Sequence, residues 1–174
     1  YCNYKTRAPK SQQTAFLVQL AYENCLDGDK IRAGDAVNFS IGQGDTVITP
    51  LKQAQMYAAI ANGGTIWKPT VAKAIVKTDG TVIKTFGKEK LGTIPADKAT
   101  LKFLHSALRE VVISGTGAGV FSGFPIAISG KTGTAEVFGR NPNGSAKANT
   151  SWFASYGPTE KPQFAVVMMV SQGG

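Results

Sequence analysis

From Thr49 the chain reads Thr-Pro-Leu-Lys-Gln-Ala-Gln-Met-Tyr-Ala-Ala-Ile-Ala-Asn-Gly-Gly, with Leu51, Ala54, Ala58 and Ala61 recurring at helical spacing. Thr49 can cap the first turn, Pro50 suits the first helical position, and Asn62-Gly63 supplies a stop. The pattern predicts a helix whose small residues let another backbone pack close. Next come two β-rich runs, 70–78 and 81–86, around Asp79-Gly80. They predict an antiparallel hairpin closed by a two-residue type I′ turn. A second amphipathic helix is predicted over 97–113, where Leu101, Leu104, Leu108 and Val111 mark a buried face. It ends at Ser114-Gly115-Thr116-Gly117-Ala118-Gly119, a loop that its glycines make possible.

The last third reads as sheet. Apolar or alternating runs occur at 126–129, 134–138, 151–156 and 164–170, and the turn-rich stretch 139–149 separates the first two from the others. Helices, a hairpin and then antiparallel strands make an α+β layout, an antiparallel sheet flanked by helices.

Composition narrows the function more than the fold. The chain has 174 residues, of which 43% are hydrophobic and 17% charged, so it can bury a core. It has no apolar run of transmembrane length, and its first residues lack the layout of a signal peptide. A formal charge of +8 suits an anionic partner. The lysines are scattered, however, with no arginine cluster and no nucleic-acid module, so nucleic acid is set aside in favour of a solvated basic surface or an acidic wall polymer. Cys2 and Cys25 form no metal-ligand cluster with His105, and no metal or other cofactor is expected. The two cysteines are either a disulfide or two buried thiols.

The most informative stretch is Gly130-Lys131-Thr132-Gly133-Thr134. A phosphate-binding loop would need glycine five positions before Gly130, where Pro125 stands, and a helix afterwards, where Ala135-Glu136-Val137-Phe138 follows. The run Gly115 to Gly119 likewise fails the dinucleotide fingerprint. As an edge strand facing a cleft, the stretch suits acyl transfer from a peptide or lactam. The Lys131 ammonium can stabilise negative charge on the substrate. The hydroxyls of Thr132 and Thr134 can donate to a substrate carboxylate, and Gly133 leaves room for the substrate backbone. The backbone N–H of Thr134 is then available to a tetrahedral oxyanion.

The run Ile128 to Glu136, Ile-Ser-Gly-Lys-Thr-Gly-Thr-Ala-Glu, resembles the third active-site motif of the penicillin-binding transpeptidases, and its Ala-Glu ending resembles their monofunctional class B branch. Three further segments agree in order. Phe39-Ser40-Ile41-Gly42-Gln43-Gly44 with Thr49-Pro50-Leu51 is similar to the family's SIGQG and TPL segment. Val111-Val112 with Gly115-Thr116 and Gly123-Phe124-Pro125 resembles the approach to the KTG strand. Ser151-Trp152-Phe153 resembles the strand that follows it. Together they cover about residues 30 to 174.

The resemblance implies a penicillin-binding transpeptidase or serine β-lactamase-like fold, incomplete in this chain, with residues 1–174 the C-terminal part of one transpeptidase domain. In that family an SxxK serine attacks a D-Ala-D-Ala stem peptide and a neighbouring amine resolves the acyl-enzyme, while β-lactams acylate the same serine. No serine here has lysine three residues on or asparagine two residues on. Ser40, Ser129 and Ser151 are therefore not nucleophiles, and the resemblance implies a catalytic serine N-terminal to Tyr1, so that this piece alone is inert. Implied partners are stem peptides, β-lactam antibiotics, the N-terminal remainder of the protein and cell-wall elongation or division machinery. The implied location is the extracytoplasmic face of a bacterial membrane, held by an N-terminal anchor. A β-lactamase or β-lactam sensor shares the KTG strand, and a non-catalytic interaction module would keep the fold without a nucleophile. His105 reads as a packing histidine, Glu136 as a solvent-facing carboxylate, Trp152 and Phe153 as core, and Asn38 and Gln43 as structural groups in a turn.

Overall fold

The computed structural model describes residues 12–28, 30–31, 33–44, 46–137 and 139–173, and the chain divides into two compact units, Tyr1–Thr46 and Val47–Gly174. Cys2 lies outside the described residues, and the disulfide alternative with it.

The first unit holds α1 (Gln12–Asp27) and α2 (Ala33–Ser40). Neither was marked by periodicity, and α2 buries no residue. Asn38 and Phe39 lie inside α2, and the expected turn is the helix exit: Ile41 N and Gln43 N donate to Asn38 O at 3.2 and 2.9 Å. Gly42, at φ +76°, takes the left-handed conformation that such an exit requires.

The second unit opens with α3 (Pro50–Ala61), whose cap is the expected one: Lys52 N donates to Thr49 Oγ1 at 3.2 Å. The buried face differs from the expected stripe. Tyr57 and Ala59 are buried, while Leu51 is 63% exposed. Leu51, Ala54 and Ala58 line an open groove with Trp67 and Pro69. The helix turns its largest ring inward because burying a tyrosine removes far more apolar area from water than burying alanines does.

Two short ribbons follow. Strand β1 (Thr65–Trp67) pairs antiparallel with β4 (Lys90–Thr93), and β2 (Ala74–Val76) pairs with β3 (Val82–Thr85). The second ribbon is the expected hairpin, but its turn is longer. Gly80 N donates to Lys77 O at 3.0 Å and Lys77 N donates to Thr81 O at 2.8 Å. Only Gly80, at φ +85°, is left-handed, whereas a type I′ turn needs two such residues. Asp79 is spent otherwise, accepting from Thr81 N at 2.9 Å.

Helix α4 (Lys98–Ile113) is capped by Asp97, which accepts from Thr100 N at 2.7 Å. Leu101 is buried and Leu104, Leu108 and Val111 are half-buried, as expected, with buried Val112 added to that face. The glycine-rich stretch is not wholly loop, since it carries the four-residue helix α5 (Ala118–Phe121).

The sheet is three-stranded and antiparallel, in the order β5 (Ser129–Ala135), β6 (Thr150–Gly157), β7 (Phe164–Val170). One strand replaces the two expected at 126–129 and 134–138, and Phe138 lies outside the described residues. The polar and glycine-rich segment between those runs is extended because β6 pairs with it continuously, from Ser129↔Tyr156 to Ala135↔Thr150. Tertiary pairing overrides weak local propensity here. Ala154 and Tyr156 point to one face, where they pack with Tyr57, Ile60, Ala61, Leu108, Ala165 and Val167 to form the core. On the other face Phe164, Val166, Met168 and Val170 of β7 are exposed.

Candidate active site

Lys131-Thr132-Gly133-Thr134 lies in the middle of β5, which hydrogen-bonds to β6 on one side and, among the described residues, forms that edge of the sheet. Lys131 is exposed and Thr132 half-buried. The Lys131 ammonium bends round the edge to the Thr132 carbonyl oxygen, at 3.0 Å, and stands 3.4 Å from Thr132 Oγ1. That carbonyl therefore faces the open edge. In an antiparallel strand the N–H and C=O of one residue point the same way and alternate residues agree, so the backbone N–H of Thr134 faces the same edge. The side chains of Thr132 and Thr134 share one face of the strand.

Glycine is required close by, but at Gly130 more than at Gly133. A Cβ on Gly130 would stand 2.7 Å from Ala154 O and 2.8 Å from Ser155 Cβ, whereas one on Gly133 would meet only Trp152 Cβ, at 3.3 Å. Gly130 lets β5 and β6 close up behind the strand.

Thr116 is a residue to which the sequence assigned no role. Its hydroxyl is 2.7 Å from Thr132 Oγ1, which joins the glycine-rich loop to the KTG strand. Gly115 N and Gly117 N donate to Glu110 O and Val111 O, at 3.1 and 3.0 Å, folding the loop back over the end of α4. A Cβ on Gly115 would lie 2.8 Å from Val111 Cα, so no side chain fits at that reversal. Beyond the loop, Phe121 stacks on Phe153 with centroids 5.1 Å apart, and Phe153 is the cross-strand partner of Thr132.

Behind the strand sits a buried polar chain. The Tyr156 hydroxyl is 2.8 Å from His105 Nδ1, and His105 Nε2 is 2.9 Å from Ile60 O. A carbonyl only accepts, so Nε2 carries a proton, and in the neutral ring Nδ1 accepts from the phenol. Fully buried Ser129 contacts Thr159 Oγ1 at 3.0 Å, and Arg109 Nη1 donates to Ile128 O at 2.9 Å. Burial pushes the Tyr156 phenol above its ordinary range, opposed by a hydrogen bond with Ser129. These groups fix the root of β5. His105 is thus a packing residue, as read, while Ser40 donates to Val37 O at 2.7 Å within α2. Glu136 is exposed just past β5, and Trp152 and Phe153 are half-buried. Among the described residues no group of three or more His, Cys, Asp or Glu side chains could hold a metal. No helix among them is long and apolar enough to cross a membrane.

The penicillin binding protein transpeptidase domain family matches residues 18–174. Penicillin-binding protein 2A of Bacillus subtilis is 30% identical over 146 residues, which is 79% of this chain and 20% of that protein. Peptidoglycan D,D-transpeptidase PbpA of Mycolicibacterium smegmatis is 34% identical over 140 residues, 78% of this chain and 26% of that protein. This chain therefore spans about a fifth to a quarter of these curated relatives' length. Among solved structures, penicillin-binding protein 2B of Streptococcus pneumoniae matches with a TM-score of 0.72 and 25% identity, covering 82% of this chain and 24% of that one. Four collinear motifs, the α+β sheet and a match over most of its length lead to one conclusion: the chain belongs to the penicillin-binding protein transpeptidase domain family.

Proposed function

We propose that this chain is the C-terminal part of a class B peptidoglycan D,D-transpeptidase and supplies one wall of its active site. The observation that carries the reading is the open β5 edge, where the Lys131 ammonium stands 3.4 Å from the Thr132 hydroxyl and the Thr134 N–H faces the same side. The nucleophile is a serine outside these residues, a reading supported by the lack of any Ser-x-x-Lys in the sequence. The relatives' names support the reaction class: PbpA of Mycolicibacterium smegmatis is a peptidoglycan D,D-transpeptidase.

In the proposed reaction the serine oxygen bonds to the carbonyl carbon of the penultimate D-Ala, and the terminal C–N bond breaks. The departing amine takes a proton, leaving an ester that a second stem's amine resolves. Lys131 lowers the energy of developing negative charge, the Thr132 and Thr134 hydroxyls hold the terminal carboxylate, and the Thr134 N–H donates to the oxyanion. The substrate backbone lies along Gly133. The same edge would take a β-lactam, whose carboxylate and strained amide resemble the acyl donor. The proposed setting is the extracytoplasmic face of a bacterial membrane, with elongation or division proteins as neighbours.

The test is to incubate the full-length protein with fluorescent benzylpenicillin and map the label. Slowly released label on a serine outside this chain is the expected result. Rapid turnover would instead indicate a β-lactamase, and no acylation a non-catalytic module.

A further inference from the structure

The Thr132 hydroxyl has two neighbours, Lys131 Nζ at 3.4 Å and Thr116 Oγ1 at 2.7 Å. A hydroxyl carries one proton and two lone pairs, and an ammonium only donates, so the lysine occupies one lone pair of Thr132. Two arrangements of the hydroxyl pair remain. If Thr132 donates to Thr116, its proton is used within the protein. If Thr116 donates to Thr132, the second lone pair is filled and the Thr132 proton points outward. Only the second arrangement leaves the Thr132 proton for an ionised carboxylate, which accepts hydrogen bonds and gives none.

We propose that Thr116 is a positioning residue: its hydroxyl donates to Thr132 and turns the Thr132 O–H toward the carboxylate of the acyl donor. This rests on the transpeptidase reading above. The loop is built to hold Thr116 in place. On one side Gly115 and Gly117 tie it to the end of α4, and on the other Phe121 stacks on Phe153, directly across from Thr132. Thr116 is itself exposed.

The experiment measures second-order acylation of the full-length protein by benzylpenicillin and by its methyl ester, which lacks the ionised carboxylate. Thr116→Val should slow the penicillin about tenfold and the ester by less than about twofold, so the ratio of the two rates falls. Thr116→Ser, which keeps the hydroxyl, should restore the ratio to within about threefold. In a Thr132→Val background Thr116→Val should have no further effect, because the proton it orients is gone. An unchanged ratio in Thr116→Val, equal slowing of both probes, or fully additive effects with Thr132→Val would overturn the positioning role while leaving the transpeptidase reading in place. A wild-type protein that benzylpenicillin does not acylate would overturn both, and thereby separates the two failures.

Discussion

The Tyr156 hydroxyl donates to His105 Nδ1 across 2.8 Å, in a contact where the two rings meet edge to face with centroids 5.3 Å apart. His105 in turn serves Ile60 O, the last full turn of α3, so one imidazole ties two helices to β6. Tyr156→Phe keeps the ring and removes the donor, leaving a half-buried nitrogen unsatisfied. The expected loss is about 1–3 kcal/mol in urea unfolding. His105→Leu removes both polar contacts of the ring: it takes this acceptor from the Tyr156 hydroxyl, while Ile60 O keeps its bond from Gly63 N at 3.1 Å, and equal stability in both variants and wild type would rule the network out as a fastener.

Two glycines of one strand should behave differently. Gly130→Ala forces a methyl group to within 2.9 Å of three atoms of β6, and thermal unfolding should report a loss of about 1–3 kcal/mol. Gly133→Ala meets only Trp152 Cβ, at 3.3 Å, and should fold with nearly wild-type stability. Its defect should emerge in penicillin acylation, because the added methyl group occupies the part of the strand along which the proposed ligand would lie.

Lys131 is exposed, and its hydrogen bonds go to its neighbour Thr132. Lys131→Ala in the full-length protein should leave the melting temperature unchanged and depress acylation on the order of 100-fold. A wild-type acylation rate would remove the side chain from the proposed mechanism.

Stability should fall at both ends of the pH scale, for separate reasons. Hydrogen bonding from the Thr100 backbone holds the Asp97 carboxyl below its ordinary range. The unfolded chain then takes up its proton first, so the stability Asp97 contributes is present above about pH 4 and is lost as pH falls through the folded value. Asp97→Asn keeps a capping oxygen and should flatten that acid limb without weakening the helix at neutral pH. Burial, with a smaller contribution from Tyr156, raises the Tyr57 phenol above 10.0. Its contribution is full below that pH and declines above it, since the unfolded phenol ionises first. Tyr57→Phe should flatten the alkaline limb, and midpoints measured across pH would expose either error.

What was legible in the sequence was what local chemistry dictates. The cap at Thr49 is a side chain bonding three residues ahead, and the stop at Asn62-Gly63 is equally local, with Asn62 bonding Thr65 in both directions. The edge position of Lys131 to Thr134 was also readable, since family resemblance and strand chemistry agreed on it. The errors arose where distant residues decide. Nothing near Leu51 says that Tyr57 will own the core face of α3, because that depends on Ala154 and Tyr156, about a hundred positions away. Ser129 to Ala135 lacks a strand's composition and is extended because β6 is there to pair with it. Thr116 stayed hidden for the same reason: sixteen residues separate it from Thr132, and only the reversal at Gly115 closes the gap.

The strand order β5-β6-β7 sets a hierarchy of opening. Amides of Lys131 and Gly133 that bond inward are shielded by a single neighbour among the described residues, so any fluctuation that frees Thr150–Gly157 releases them as well. The reverse does not hold, because β6 keeps its bonds to β7 when β5 peels away. The surface that would meet a cell-wall peptide is therefore one of the sheet's two outer strands, and a partner lying along it would slow hydrogen exchange in β5 more than in β7.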